Sequence, residues 1–430
     1  MTLTGRAALL VALGALPVAW APGWGTVWGW LGLCVLGVLL DLLLAASPRT
    51  LSVTREPTSP VRLGESCETT FLLTNLGGRR LRGLARDAWQ PGAGAHGTRH
   101  RVDLPPGERR RYATGLTPTR RGDRLAVGVA VRSAGPLGLA CRQLTLPAPW
   151  RVRVLPPFHS RRHLPSKLAQ LRELEGRAAL HRRGQGTEFD SLRDYVDGDD
   201  VRSIDWRATA RRQQVVVRTW RPERDRRVLL LLDTSRTAAA RIGDGTRLDA
   251  AMDAALLLAA LATRAGDRVD LIAMDRRVRA RVESASRNEV LPRFVEAMAG
   301  LEPELVETDW SAVTGVVRSR FSQRALVVLL SPLEAAPVEE GLLPVVTRLT
   351  SHHTVVLASV ADPAVHTLAQ GRGTAHAVYG AAAAARAELD RTAVTAELGR
   401  LGVEVLDAPP DQLPPRLADH YLALKAAGRL

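Results

Sequence analysis

The sequence predicts a chain of three folded parts, of which the last is a doubly wound α/β domain with a mostly parallel sheet. Three observations predict this fold class. Two apolar segments precede residue 50, short β-prone runs fill residues 50–156, and apolar strands alternate with helices after residue 227. We therefore expect a transmembrane helical hairpin at residues 1–49, a β-sandwich at 50–156, a linker at 157–226 and an α/β domain at 227–430.

The hairpin is predicted from the length and polarity of the two apolar segments. Residues 7–21 are apolar apart from Pro17, and residues 28–46 carry one charge, at Asp41. As a helix the second segment would span about 28 Å, which is close to the hydrocarbon thickness of a bilayer. Four tryptophans cluster between the segments, as interfacial anchors do: Trp20, Trp24, Trp28 and Trp30.

The charges that flank the apolar segments predict the orientation. Arg6 precedes the first segment, Arg49 and Arg55 follow the second, and the turn between them is uncharged. By the positive-inside rule we expect a multi-pass protein of the inner membrane whose soluble domains face the cytoplasm. A cleaved signal peptide is the alternative for the first segment. Pro22 directly after the expected cut argues against cleavage, and the second segment would keep its direction in either case.

Residues 50–156 predict an antiparallel sandwich that is immunoglobulin-like in its strand spacing. The β-prone runs are residues 51–54, 67–74, 110–114, 125–132 and 152–155, and turn residues separate them. Because no cluster of catalytic residue types occurs in this part of the sequence, we expect a spacer or a binding module.

Charge is distributed unevenly along the chain. Residues 50–158 contain 18 Arg and Lys against 7 Asp and Glu, residues 159–227 contain 17 against 11, and residues 228–430 contain 22 against 25. Since the most basic part directly follows the membrane segments, we expect anionic lipids or an acidic partner near residues 50–158, and no nucleic acid. Three cysteines with no Cys/His spacing predict neither a disulfide framework nor a zinc site.

The α/β domain is predicted from five apolar strands that alternate with helices. The strands are residues 228–232, 268–273, 325–330, 354–359 and 403–406, and the helices are residues 248–265, 288–299, 311–321, 338–349, 382–401 and 414–425. Near-continuous apolar strands are typical of a parallel sheet covered on both faces. In such sheets ligands bind beyond the carboxyl ends of the strands.

A candidate metal site follows the first of these strands. Asp233, Ser235 and Thr237 supply one carboxylate and two hydroxyls, which suit a hard cation such as Mg²⁺. Thr308, with Asp309 beside it, lies where a further ligand is expected. After the 325–330 strand an acid is expected, but Ser331 and Pro332 stand there, so that Ser331 or Glu334 would have to substitute. The alternative is that Asp233 and Ser235 cap the following helix.

An enzyme is the competing interpretation of the same residues. A haloacid-dehalogenase-like phosphatase also places an Asp-x-Asp-x-Thr motif after an apolar strand, and Asp233, Thr237 and Ser331 fit that pattern. Its second Asp, the general acid, is Ser235 here, so that leaving-group chemistry would lack a proton donor. Gly-x-Ser-x-Gly and a phosphate-binding Gly-rich loop are also absent from the sequence. We therefore expect no catalytic residues and no organic cofactor.

A dense mixture of Gly, paired acids and Arg occupies residues 184–211. We predict a buried polar network in which the acids are neutralised by Arg193, Arg202, Arg207 and Arg211. A cation site among the acids is the alternative.

The run from Gly186 to Arg211 resembles the hallmark of the bacterial family catalogued as domain of unknown function 58. Glu223, the strand ending at Asp233 and the terminal residues 421–425 are similar to that family as well. The hallmark positions in this chain are Glu188, Phe189, Arg193, Tyr195, Gly198, Asp199, Arg202, Asp205, Trp206 and Arg211.

The resemblance implies that residues 227–430 form a von Willebrand factor A-like domain in a membrane-anchored protein, and we expect this protein to be non-enzymatic. It also implies a MoxR-type AAA+ ATPase as partner in the chaperone-like maturation of protein complexes. Asp233, Ser235 and Thr237 then map onto the metal-ion-dependent adhesion motif, and Thr308 maps onto its threonine. Pro332 departs from the acid that the motif often carries.

Overall fold

The computed structural model describes residues 2–181, 188–221, 226–283 and 286–430, with the side chains of residues 177–191 and 219–221 left aside. The chain divides into two compact units, Met1–Leu155 and Pro156–Leu430.

The first unit begins with three apolar helices, α1 (Gly5–Leu13), α2 (Ala15–Trp20) and α3 (Trp24–Leu44). Within the described ranges one helix is long and apolar enough to cross a membrane, over Trp24–Thr50. The predicted two-helix transmembrane hairpin is therefore wrong. The first leg is interrupted at Gly14 and reaches only about 24 Å at ~1.5 Å per residue, against a hydrocarbon core of about 30 Å.

Two sheets form the rest of this unit. The strands are β1 (Thr2–Leu3), β2 (Leu51–Arg55), β3 (Val61–Arg62), β4 (Cys67–Asn75), β5 (Leu81–Trp89), β6 (Ala95–His96), β7 (Arg99–Leu104), β8 (Arg109–Leu116), β9 (Gly122–Ala134), β10 (Ala140–Leu146) and β11 (Trp150–Leu155). Strands β2, β4, β6 and β8 make one sheet and the others make the second. All pairings are antiparallel except that of β3 with β11.

The two sheets share one apolar core. Phe71 and Leu73 from the smaller sheet pack in the same buried cluster as Ala85 and Val131 from the larger sheet. A buried ion pair also joins the sheets, because Arg55 of β2 lies 2.5 Å from Asp87 of β5. An ion pair of this kind is costly to break, because one partner would be left as an unpaired charge.

Asp41 fastens the end of α3 to the β9–β10 connection. Its buried carboxylate accepts hydrogen bonds from the backbone N–H groups of Leu137, Leu139 and Ala140 at 2.7, 2.7 and 2.8 Å. Gly135 is needed beside it, since a Cβ there would lie 2.2 Å from the carboxylate. The one charge in the apolar segment is therefore a structural anchor between the helix and the sheet.

The second unit begins with α4 (Leu164–His181) and a small module made of β12 (Glu188–Asp194), α5 (Trp206–Arg212) and β13 (Val216–Arg221). Strands β12 and β13 pair antiparallel as a separate two-stranded sheet. Ser160, just before α4, donates through its N–H and hydroxyl to the buried Asp253. This contact fixes the start of the unit to the α/β core.

The α/β core follows. Its strands are β14 (Arg227–Asp233), β15 (Arg241–Ile242), β16 (Gly245–Thr246), β17 (Arg268–Met274), β18 (Val278–Val282), β19 (Leu326–Leu330), β20 (Thr354–Val360) and β21 (Val403–Ala408). Its helices are α6 (Arg247–Arg264), α7 (Val290–Ala299), α8 (Trp310–Arg320), α9 (Ala335–Pro337), α10 (Leu343–Thr350), α11 (Pro363–Ala369), α12 (Ala375–Arg400) and α13 (Leu413–Ala426).

Six of these strands form the central sheet in the order β18-β17-β14-β19-β20-β21. All neighbours are parallel except β18, which is an antiparallel edge strand. The parallel register agrees with the continuous apolar runs in the sequence, since both faces are covered by helices. Because the strand order reverses around β14, its carboxyl end lies at the point where such sheets bind ligands.

The terminal helix α13 is tied to the sheet by a polar clamp. The Tyr421 hydroxyl donates to Asp267 at 2.5 Å, and Lys425 Nζ donates to the same carboxylate at 2.9 Å. Burial and the adjacent Asp267 carboxylate raise the pKa of Tyr421 far above its ordinary value, so the hydroxyl remains a donor. The terminal residues 421–425 thus close the fold.

Candidate functional site

The candidate site is built around Asp233, the last residue of β14. The strand brings this carboxylate to the carboxyl edge of the sheet, where it is only 2% exposed. A buried carboxylate needs several donors, because it has left the hydrogen bonds of water. The surrounding loops supply them.

Three donors from three separate segments converge on the Asp233 carboxylate. The Ser235 N–H and the Thr308 hydroxyl donate to Oδ1 at 2.9 and 2.7 Å. The Ser331 hydroxyl donates to Oδ2 at 2.6 Å. Thr308 lies on the loop before α8 and Ser331 directly follows β19, so the fold brings together residues that are up to 98 positions apart.

The remaining predicted ligands occupy different places. The Ser235 and Thr237 hydroxyls lie 3.0 Å apart and bond to each other, whereas Ser235 contacts Asp233 through its backbone N–H. Ser235 makes no side-chain cap bond to the 3₁₀ turn that follows it, which disagrees with the helix-capping alternative for this residue. Asp309 points elsewhere and caps α8 by accepting from the Ala312 N–H at 2.9 Å.

Ser331 takes the position at which the sequence suggests a missing acid. Pro332 lines a cavity of about 10 Å³ beside Asp233 but offers no ligand atom. Glu334 pairs instead with Arg247, at the start of α6. Of the two suggested substitutes, only Ser331 therefore contacts the Asp233 carboxylate.

A second buried acid next to the site escaped the sequence analysis. Asp275 directly follows β17, the strand paired with β14, and the Thr234 hydroxyl donates to it at 3.0 Å. Its carboxylate also accepts from the Arg277 N–H and lies 3.6 Å from Arg279. The sequence does carry a signal for Asp275, because this acid directly follows the apolar strand β17.

The rim of the site combines ion pairs with one exposed apolar side chain. Arg236 pairs with Glu307, and Arg279 pairs with Glu304. Between these acids lies Leu305, which is 83% exposed. The loop that carries Leu305 is held by backbone hydrogen bonds on both sides, from Glu304 N–H to the Thr234 carbonyl and from Arg236 N–H to the Val306 carbonyl.

The residue types at Asp233, one carboxylate with hydroxyls nearby, are those that a hard divalent cation takes as ligands. The Asp233–Thr308 and Ser235–Thr237 oxygen pairs, at 2.7 and 3.0 Å, are hydrogen-bonded to each other in this structure. In the part of the chain that the structure describes, no three His, Cys, Asp or Glu side chains form a metal-binding group. A cation at Asp233 would thus be held by one carboxylate, hydroxyls and water.

The hallmark segment forms the β12–α5–β13 module. Arg193 makes a two-point contact with Asp199 at 2.7 and 2.5 Å, and Gly198 beside it has a φ of 106°, which favours glycine. Asp205 caps α5 through the N–H groups of Arg207 and Ala208, and it accepts from Arg218 at 2.8 Å. The hydrogen bond from Arg218 holds the pKa of the Asp205 carboxyl below its usual range.

The predicted burial of this network is wrong. The side chains of Arg193 and Arg218 are 43% and 45% exposed. Trp206 is exposed, Tyr195 is half-buried, and Arg202 and Arg211 are exposed. The side chains of Glu188 and Phe189 lie outside the described residues.

Comparison with known proteins agrees with the hallmark. Residues 191–395 match the family described as "Protein of unknown function DUF58". The suspected family is thereby confirmed over residues 191–395, which hold most of the hallmark and most of the α/β core. No curated protein matches the chain significantly.

Solved structures resemble separate parts of the chain. The SpRpn10 VWA domain is 14% identical and covers 45% of this chain and 94% of its own, with a TM-score of 0.29. A CARDB domain from Pyrococcus furiosus is 20% identical and covers 24% of this chain and 86% of its own, with a TM-score of 0.18. A PapD-like domain of human CEP192 is 10% identical and covers 24% of this chain and 82% of its own, also with a TM-score of 0.18.

Proposed function

We propose that this DUF58-family protein is a membrane-anchored, non-enzymatic interaction factor that recruits an acidic protein partner at Asp233. The partner implied by the family resemblance is a MoxR-type AAA+ ATPase, and the proposed task is chaperone-like maturation of protein complexes. Mg²⁺ held by Asp233, Ser235, Thr237 and Thr308 would bridge these oxygens to a carboxylate of the partner.

The observation that carries this proposal is the convergence of two hydroxyl groups and one backbone N–H on one buried carboxylate. Ser235, Thr308 and Ser331 come from three loops and all contact Asp233 through their hydroxyl or N–H groups. Because the ligands around Asp233 carry a single negative charge, a bound Mg²⁺ would keep one excess positive charge. An incoming carboxylate can neutralise that charge, so the site favours an acidic ligand.

The same geometry supports binding over catalysis. Both oxygens of Asp233 accept hydrogen bonds from the Thr308 and Ser331 hydroxyls, and a bound cation would take the place of these donated protons. The nearby acid Asp275 is engaged by Thr234 and Arg277. No second carboxylate among the described residues is therefore poised as the proton donor that a phosphatase needs.

The rim gives the partner further points of contact. Leu305 is exposed on a loop with fixed backbone hydrogen bonds, so an apolar side chain can dock there without ordering the loop. The Arg236–Glu307 pair is half-exposed on both sides. Exposed pairs of this kind contribute only about 0–1 kcal/mol, so Arg236 can exchange Glu307 for an acidic residue of the partner.

The helix over Trp24–Thr50 supports membrane anchorage. We propose that the soluble units face the cytoplasm, since Arg49 and Arg55 follow this helix. A reporter fused after Leu430 that is active only outside the cytoplasm should stay silent. Activity of that reporter would place the partner on the other side of the membrane.

Calorimetry with Mg²⁺ tests the cation site. The full chain in a neutral detergent should bind one Mg²⁺, and Asp233→Asn should abolish the heat. Asp244→Asn is the matched control, because Asp244 is an exposed acid in the β15–β16 turn. If wild type and Asp233→Asn give the same heat, the Mg²⁺ bridge is wrong.

Two further measurements test the function itself. A purified MoxR-type ATPase should bind the full chain in Mg²⁺ and be released by a chelator, and Asp233→Asn should not bind it. In parallel, hydrolysis of a generic phosphate ester should be absent. Turnover that disappears in Asp233→Asn would overturn the non-enzymatic assignment.

A further inference from the structure

A second polar site lies at the amino-terminal ends of the strands of the central sheet, whereas Asp233 lies at their carboxyl ends. A cleft of about 180 Å³ opens where β14 and β17 begin, and it is lined by four guanidinium groups, those of Arg227, Arg268, Arg281 and Arg320. Arg227 begins β14 and Asp233 ends it, so the two sites are about 20 Å apart at ~3.3 Å per residue. The cleft is thus separate from the candidate cation site.

The strand register explains why the arginines converge. Arg227 and Arg268 are direct partners on adjacent parallel strands, so their side chains leave the same face of the sheet. Ile272, four residues after Arg268, shares that face and is the partner of Arg281 on the antiparallel edge strand. Arg320, at the end of α8, completes the ring where this helix covers the sheet.

Basic groups outnumber acids among the described residues that line the cleft. The four arginines stand with two acids, Asp270 and Glu283, so that these six side chains carry a formal charge of +2. Glu283 lies 3.0 Å from Arg281 and 2.7 Å from Arg320. Arg227 and Arg268 occupy directly paired positions of neighbouring strands, and an anion bound between them would offset the repulsion of their like charges.

The orientation of Arg227 suits anion recognition. Its guanidinium lies over the ring of Phe321, 5.8 Å from the ring centroid, and Phe321 itself is buried. Stacking uses the flat face of the guanidinium and leaves its N–H edge for hydrogen bonds. The buried ring thereby holds one arginine in place before any ligand arrives.

We propose that this cleft binds the dianion of a phosphate monoester or of inorganic phosphate. Such a group carries about −1.5 to −2 charges at neutral pH, which matches the +2 of the cleft, and arginine forks bind phosphate oxygens in pairs. The volume is below the about 300 Å³ at which pockets for whole small molecules begin, and it is enough to hold one phosphate group. Nucleic acid is disfavoured because residues 228–430 carry 22 basic against 25 acidic residues.

Titration calorimetry on the full chain in a neutral detergent tests the proposal at constant ionic strength. Inorganic phosphate and N-acetyl-phosphoserine amide are the two probes. We expect saturable binding at one site, and the tighter of the two probes tells whether free phosphate or a phosphorylated side chain is the ligand. Arg227→Gln and Arg268→Gln should each weaken binding about tenfold or more, as the loss of one charge-assisted pair does.

Arg400→Gln is the matched control, because Arg400 is an exposed arginine at the end of α12, outside the cleft. It should bind both probes like the wild type. If Arg227→Gln unfolds through loss of its contact with Phe321, the exposed Arg268→Gln still decides the result. Absence of saturable binding, or equal binding by wild type and Arg268→Gln, would overturn the proposal. Neither outcome affects the Mg²⁺ site, since Asp233 is tested separately.

Discussion

Replacing Ser331 with Asp puts back the acid that the candidate cation site lacks. The Ser331 hydroxyl is 2.6 Å from Asp233 Oδ2, and both side chains are buried. An aspartate at position 331 therefore brings a second carboxylate against the first. Without a cation the two negative charges repel each other, and with Mg²⁺ they become ligands of the same ion.

The size of the effect follows from this separation. Two unit charges about 4 Å apart repel by about 4 kcal/mol at an effective dielectric constant of 20. For a unit of this size the loss corresponds to a decrease in melting temperature of roughly 8–15 °C. The decrease should deepen as the pH rises, because the new carboxyl must ionise against Asp233. Mg²⁺ should restore most of the lost stability, because the cation replaces repulsion by attraction at both carboxylates.

Thermal unfolding of the full chain in detergent measures both effects, once in a chelator and once in Mg²⁺. Ser331→Asn is the control, since it has the shape of Asp without the charge and should respond little to Mg²⁺. If Ser331→Asp and Ser331→Asn have the same melting temperature in the chelator, the side chain at position 331 does not face Asp233. If Mg²⁺ leaves the melting temperature of Ser331→Asp unchanged, Asp233 is not part of a cation site.

Three further predictions concern contacts elsewhere in the fold. Asp41→Ala removes three hydrogen bonds to a charged acceptor and should destabilise the first unit by about 3–5 kcal/mol in thermal unfolding, whereas Asp41→Asn should lose less. Tyr421→Phe should cost about 1–2 kcal/mol in denaturant unfolding, because Lys425 still pairs with the Asp267 carboxylate. Burial raises the pKa of Asp253, so its stabilising contribution is complete below the unfolded pKa and is lost as the pH rises through the folded value. Asp253→Asn should therefore flatten the dependence of the urea midpoint on pH above the unfolded pKa and keep the Ser160 contacts, and an unchanged slope would contradict this.

The family and the central sheet could be predicted from local patterns. The hallmark at residues 186–211 is a nearly uninterrupted string of residue types, and residues 191–395 match the family. Apolar runs such as Val228 to Leu232 predict parallel strands because they must be buried on both faces. The edge strand β18 was missed, since Val278 to Val282 alternates with arginine and one side of an edge strand has no partner.

The membrane prediction shows where apolar composition alone misleads. Residues 7–21 are apolar enough for a span, but the helical stretch Gly5–Trp20 covers only about 24 Å at ~1.5 Å per residue, against a hydrocarbon core of about 30 Å. The short length of the segment was the signal against a second span. The hallmark network shows a similar limit, because Arg193 pairs with Asp199 as expected, but Asp205 pairs with Arg218, which was not among the predicted partners, and the side chains of Arg193 and Arg218 stay exposed.

The sequence by itself determined the family, the alternation of strands and helices, and the placement of Asp233 at the end of a strand. These follow from near neighbours in the chain, whose periodicity sets the local structure. Only the tertiary structure decided that Thr308 and Ser331 donate to Asp233, that Asp275 lies beside it, and that four arginines share one cleft. Contacts across many tens of residues depend on strand order and register. These are set by how the whole core packs, and no local pattern records them.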